Sequence, residues 1–278
     1  AVAAVSNASA VSTANDVIQD NVSTSSVSSS QSATISSDFS STSSVSSGSN
    51  EIFIPVKNGI TIDMVKVEAG TFMVEVEATS EMLNPYDDEK PVIQVTLTND
   101  YYMGKYEVTQ ALWQAVMGRN PSDFKGDNLP VETVSWDDCQ EFISKLNSLT
   151  GKKFRLPTEI EWEYAARGGK KSRGYQYSGS SNISDVAWYE GNSANKTHPV
   201  GTKQGSELGI YDMSGNVWEW CQDRYGSYVS SSQTNPTDAE SGAYRVFRGG
   251  SWGCSSYRCF ETPDYRYYDL GLRLVLSE

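Results

Sequence analysis

An α+β domain is predicted by three features of this chain. Strand-like runs are concentrated between residues 51 and 106, three helical patterns with capping residues follow between 109 and 169, and helical periodicity is absent beyond 170. Strands and helices are thus segregated along the sequence, without the βαβ alternation of a parallel-sheet protein.

Strands are read at 52–56, 64–67, 70–74, 91–97 and 101–106, with Asn99-Asp100 as the turn between the last two. A first helix starts near Thr109, carries Leu112, Trp113, Val116 and Met117 on one face, and stops at Gly118. Ser135, with Asp138 three residues on, caps a second helix whose apolar stripe is Cys139, Phe142, Ile143 and Leu146; Gly151 ends it. Thr158 and Glu161 repeat that signature for a third, which packs Ile160, Trp162, Tyr164 and Ala165 and ends at Gly168-Gly169. The remainder is expected to be loops and short strands held by aromatic packing, with Trp162, Trp218 and Trp220 in the core.

Residues 21–50 hold 16 Ser and 3 Thr, and residues 1–50 hold no Lys or Arg. Such a stretch cannot bury enough apolar surface to offset its ordering entropy, so 1–50 is expected to be a disordered tether ahead of one folded domain at 51–278. The net charge of −13 comes with no basic patch, which excludes nucleic-acid binding and electrostatic binding to anionic lipid. No apolar run approaches the roughly 20 residues a membrane span needs. The chain begins Ala1-Val-Ala-Ala rather than with Met, and a Ser-rich leader suits a mature protein standing off a membrane anchor. Cell-surface display, lipid-anchored at an outer membrane or secreted, is therefore expected, with a monomer as the unit. Four cysteines in a chain this long make no disulfide framework, and His198, the sole histidine, excludes His-based metal clusters and Ser-His-Asp machinery.

The most informative segment is near the C-terminus. Arg248-Gly-Gly-Ser-Trp252 and Leu270-Gly-Leu-Arg273 enclose residues 253–269, which are dense in Tyr, Arg, Ser and Asp. That run lacks period-2 alternation, so it is no core strand. Its composition is that of a recognition surface: Tyr offers contact area for few rotatable bonds, and Ser, Gly and Asp supply adaptable hydrogen bonding.

Several blocks resemble the formylglycine-generating-enzyme (sulfatase-modifying factor) family: Gly70-Thr-Phe72, Lys105-Tyr-Glu-Val-Thr109, Val134-Ser-Trp136, the stretch from Arg155 to Gly168, Asp212-Met-Ser-Gly-Asn-Val-Trp-Glu-Trp220, Arg248 to Trp252, and Leu270 to Arg273. The resemblance implies a C-type-lectin-like fold with little regular secondary structure, and two functions compete within it. In the catalytic branch a cysteine pair binds copper and oxidises a substrate cysteine; Cys254 and Cys259 stand at that spacing, with Ser251 and Trp218 at accompanying positions. That branch has His after its first cysteine, where this chain has Ser255, and an Arg/Tyr-rich stretch after its second, which Phe260 to Pro263 replaces.

The other branch comprises the variable proteins of diversity-generating retroelements, which the segment resembles more closely, in particular the treponemal type. That resemblance implies a variable region at about 245–275. Its adenine-mutable Asn positions fall on Gly253, Cys254, Ser255, Tyr257, Arg258, Tyr265, Tyr267, Tyr268 and Asp269, with Cys259 fixed. Exposed Tyr257, Tyr265, Tyr267 and Tyr268 would anchor a protein or glycan ligand, Arg258 and Asp269 would add polar selectivity, and Arg248, Trp252 and Arg273 would hold the backbone. No cofactor is required on this reading and no catalysis is expected. Asp212 and Glu219 match a calcium site of the catalytic branch, the alternative being two carboxylates that cap loop amides.

Overall fold

The computed structural model describes residues 50–75, 92–226, 231–236, 239, 241–253 and 258–277. The tether at 1–49 and the candidate residues Cys254, Ser255 and Tyr257 lie outside them.

The N-terminal part forms β1 (Glu51–Pro55), β2 (Thr61–Val67), β3 (Gly70–Glu75), β4 (Val92–Leu97) and β5 (Tyr101–Gly104). Helices α1 (Gln110–Met117) and α2 (Trp136–Thr150) follow, then β6 (Phe154–Arg155), α3 (Glu159–Ala166) and a single-turn α4 (Ile183–Val186). The C-terminal part supplies β7 (Trp218–Arg224), β8 (Gln233–Thr234), β9 (Arg245–Arg248), β10 (Cys259–Glu261), β11 (Leu270–Gly271) and β12 (Val275–Ser277).

Local chemistry fixes the helix ends. Thr109 Oγ1 accepts from Leu112 N, and Gly118 closes α1 at φ 73°. Capping boxes start α2 at Ser135/Asp138 and α3 at Thr158/Glu161, each satisfying otherwise orphaned amides. Helix α3 ends at Ala166, two residues before the Gly168-Gly169 expected to stop it, because Gly168 turns left-handed at φ 87° and its amide tightens the last turn by bonding to Ala165 O.

Three sheets result. One runs β1-β2-β5-β12-β6, a second β10-β9-β7-β11, and a third β3-β4-β8. The last strand of the chain therefore sits inside the first sheet, antiparallel to both β5 and β6. One apolar cluster, including Trp113, Phe142, Leu146, Trp220, Phe247 and Leu272, packs the first two helices against these sheets, and Trp113 stacks on Phe142 at 4.7 Å. A second cluster, with Val67, Val95, Met103, Ile160, Trp162 and Cys221, underlies α3. Among its described residues, the segment expected to hold no core strand contributes β10 alone, a three-residue edge strand beside β9.

Candidate functional site

The 253–269 segment hangs between two fixed ends. On its N-terminal side, Gly249 and Gly250 adopt φ 103° and 73°, conformations open to glycine at little steric cost, and turn the chain from β9 into Trp252. The Trp252 amide donates to Asn216 O at 2.9 Å and its carbonyl accepts from Ser193 Oγ at 2.9 Å. Its indole lies between Phe124, edge-on at 6.1 Å, and Tyr268, stacked at 5.4 Å. On the C-terminal side, Leu270-Gly271 runs parallel to Trp218-Glu219.

Two arginines brace this frame from below. Arg273, with no exposed side-chain surface, donates to Glu219 Oε1 at 2.6 Å, Gly104 O at 2.9 Å and Tyr211 O at 2.8 Å. Arg248 reaches Glu163 at 2.6 Å and Glu159 at 3.2 Å on α3. The three ion pairs tie β9 to α3 and the connection between β11 and β12 to β7, and the planar guanidinium fork lets one arginine serve several acceptors.

Main-chain bonds hold the segment itself. Tyr267 O accepts from Thr133 N at 2.9 Å, Pro263 O from Asp137 N at 3.2 Å, and Asp269 O from Trp218 N at 2.7 Å. These three bonds, all within 263–269, use no side chain of the segment, so they hold there whatever side chains those positions carry.

The outward rings are Tyr265, Tyr267 and Tyr268. Tyr267 is 42% exposed, Tyr268 is half-buried, and Tyr265 is half-buried because it packs on the first core cluster. Centroids lie 5.9 Å apart for Tyr265–Tyr267 and 4.2 Å for Tyr267–Tyr268, so the three rings with Trp252 form one aromatic ladder. The Tyr267 and Tyr268 hydroxyls share a hydrogen bond at 3.2 Å, and this contact pushes the Tyr268 hydroxyl up to about 12. Gly253 is exposed.

Two of the residues expected to supply polar selectivity do not face a ligand. Arg258, with 9% of its side chain exposed, closes a bidentate pair on Glu159 at 2.7 and 2.9 Å, donates to Gly226 O at 3.1 Å and stacks over Tyr225 at 4.4 Å. Asp269 is buried and accepts from Ser251 Oγ at 2.6 Å; burial raises its carboxyl. Both are drawn inward because buried partners of matching chemistry stand beneath them. Glu159, at the first position of α3, was not singled out in the sequence; an acid in a first helical turn is ordinary, and its partner is 99 residues away. Also unforeseen is an aromatic patch in which Phe260, 39% exposed, stacks on Tyr225 at 3.8 Å with Tyr244 at 5.3 Å.

The other candidates resolve as follows. Ser251 is buried and Trp218 is 7% exposed in the core, while Cys259 is half-buried opposite Phe247. Both Glu219 oxygens are taken, by Arg273 and by the Trp162 indole N–H at 2.7 Å, so this carboxylate does not fit a calcium ligand. Asp212 accepts from Gly201 N at 2.6 Å through one oxygen, and its other oxygen is buried without a partner. Burial lifts Asp212 to about 6. Glu107, which accepts from Asn216 Nδ2 at 2.7 Å and Val217 N at 3.2 Å, is pushed well above the usual range by burial and then by Asp212 and Glu219. Among the described residues, no group of three or more His, Cys, Asp or Glu is arranged to hold a metal.

Residues 53–278 match the sulfatase-modifying factor enzyme 1-like domain. The chain is similar to chaperone protein LppX of Paenibacillus barcinonensis, 36% identical over 276 residues, which cover 78% of this chain and 90% of that one. It is 35% identical over 190 residues to the formylglycine-generating enzyme of Streptomyces coelicolor, a match that spans 60% of this chain and 58% of the enzyme. Among solved structures it resembles Treponema denticola variable protein 1, with TM-score 0.71, 30% identity and coverage of 82% of this chain and 99% of that one. The chain belongs to the sulfatase-modifying factor enzyme 1-like family and has a C-type-lectin-like fold.

Proposed function

We propose that this chain is a surface-displayed ligand-binding protein, not an enzyme, whose 253–269 segment is the binding face and is diversified by a retroelement. The observation that carries the reading is the division between main chain and side chains. Between 263 and 269 the main chain is bonded to Thr133, Asp137 and Trp218, while Tyr267 stands exposed in an aromatic row with the half-buried Tyr265 and Tyr268. Exposed positions on such a frame exchange with little folding cost, since surface substitutions shift stability by about 0.5 kcal/mol or less. The likeness to a variable protein along 82% of the chain supports the same reading. The ligand is a protein or glycan, the domain acts as a monomer, and no cofactor is needed. Anchoring at or export to the cell surface, with residues 1–50 as the tether, completes the proposal.

The test compares two variants. Tyr267→Ser with Tyr268→Ser should leave the melting temperature within about 2 °C of the parent while removing ligand binding in a display screen, because neither ring is a core ring. Arg258→Ala should instead cost about 2–3 kcal/mol in urea melts, leaving Glu159 with Arg248 as its remaining ion-pair partner. A collapse of the double Tyr variant would end the reading. Diversification itself is checked in the flanking DNA, where an adenine-rich near-copy of this coding segment should lie beside a reverse transcriptase.

A second reading, a copper-dependent oxidase that generates formylglycine, is favoured by the Streptomyces enzyme's 35% identity and by the Cys254/Cys259 spacing. It would require one copper per chain and conversion of a cysteine peptide, both lost in Cys254→Ser.

A further inference from the structure

A cavity of about 300 Å³, open to solvent, lies among the start of β2, the β5–α1 connection and the loops carrying Asn128 and Val200. None of the candidate ligand-contacting residues lines it. Its inner wall is apolar, formed by Ile62, Val108, Leu112 and Leu274, each buried. Its polar lining is Thr61, Asp63, Tyr106, Glu107, Thr109 and Asn128, in which the only ionisable groups of full charge are carboxyls. Asp63 is half-buried on β2 and accepts from Thr61 Oγ1 at 3.2 Å through one oxygen, while both Glu107 oxygens are already bonded to Asn216 and Val217. Among the described residues no Lys, Arg or His lines the cavity.

We infer that this cavity is a second binding site, independent of the 253–269 face, for a small primary amine with a short apolar body. The chemistry of the walls selects that class. A volume at the lower end of ligand pockets takes only a small body, and the aliphatic floor gains by covering it. An ammonium brings three donors and no acceptor, which matches a mouth offering a carboxylate, an amide oxygen and a phenol oxygen. Because Asp63 is only half-buried, the cation remains partly hydrated there and escapes the large cost of full desolvation. A carboxylate ligand would instead face Asp63 with no compensating cation, and a neutral alcohol would lose the charge-assisted bond. The net charge of −13 further raises the local concentration of cations.

The test uses 2-phenylethylamine, 2-phenylethanol and 3-phenylpropanoate with the isotope-labelled full chain, following amide shifts by NMR. The amine should bind at millimolar concentration or below and move amides at 60–63 and 104–112. The alcohol should bind roughly tenfold more weakly and the carboxylate not at all. Asp63→Asn should lower amine affinity about tenfold with an unchanged melting temperature, and Ala111→Trp should block all binding by filling the mouth. Tyr267→Ser should leave amine binding intact, which separates this site from the aromatic ladder. Equal affinity for amine and alcohol, shifts that map elsewhere, or no binding at millimolar amine would each overturn the inference.

Discussion

Replacing Arg273 by Ala is expected to destabilise the domain by about 3–5 kcal/mol at neutral pH, the usual loss when one partner of a buried ion pair is removed. Arg273 and Glu219 are both fully buried, and Arg273 is the cation that faces Glu219, Asp212 and Glu107 together. Without it three carboxyl groups share a site that water cannot reach. The pH response follows. With the guanidinium gone, the carboxyls hold protons more tightly folded than unfolded, so the variant should regain stability as pH falls from 7.5 toward 5. Urea melts at those two pH values check both statements; a loss under about 1 kcal/mol at pH 7.5 would show that Glu219 finds another donor.

Asp212→Asn should act in the opposite direction. The Asp212 carboxyl is raised from 3.8 to about 6 by burial, so the native state binds a proton more tightly than the unfolded chain. Its favourable contribution is fully present below pH 3.8 and is lost as pH rises through 6. Raising this carboxyl from 3.8 to about 6 corresponds to about 3 kcal/mol of cost to the ionised form at pH 7.5. Asn removes the charge, keeps an oxygen for the Gly201 amide, and accepts the φ of 60° that this position holds. A gain of about 1–3 kcal/mol at pH 7.5 that vanishes near pH 4 is expected from denaturation across that range. Equal stability of the two proteins at pH 7.5 would mean that Asp212 is neutral or compensated there.

How much of this could be read from the sequence depends on how far each interaction reaches along the chain. Thr109, Ser135 and Thr158 announce their helices because capping is settled within four residues, and Gly118 and Gly151 end theirs for the same reason. The buried faces of α1 and α2 were likewise visible as helical spacing. In the candidate site, what is local was legible: the glycine turn at 249–250 and the exposure of Tyr267. The site was not legible where a residue 99 positions away decides the outcome. Arg258 looks like a surface arginine until Glu159 is placed beneath it, and Asp269 looks like a polar contact until Ser251 folds over it. Glu219 was read against a cation because the nearby acid, Asp212, was visible and its true counter-ion, Arg273, lay 54 residues on.

The placement of β12 has a consequence for inheritance. Val275 and Leu276 fill the row between Met103-Tyr102 and Arg155-Phe154, downstream of every position in the Tyr-rich segment. A frameshift or stop codon anywhere in 253–269 would delete that central row and leave β5 and β6 unjoined, a defect that folding surveillance and proteolysis would remove. Only chains translated in frame through residue 277 can assemble this sheet, so its closure reports that the whole C-terminal segment was read correctly.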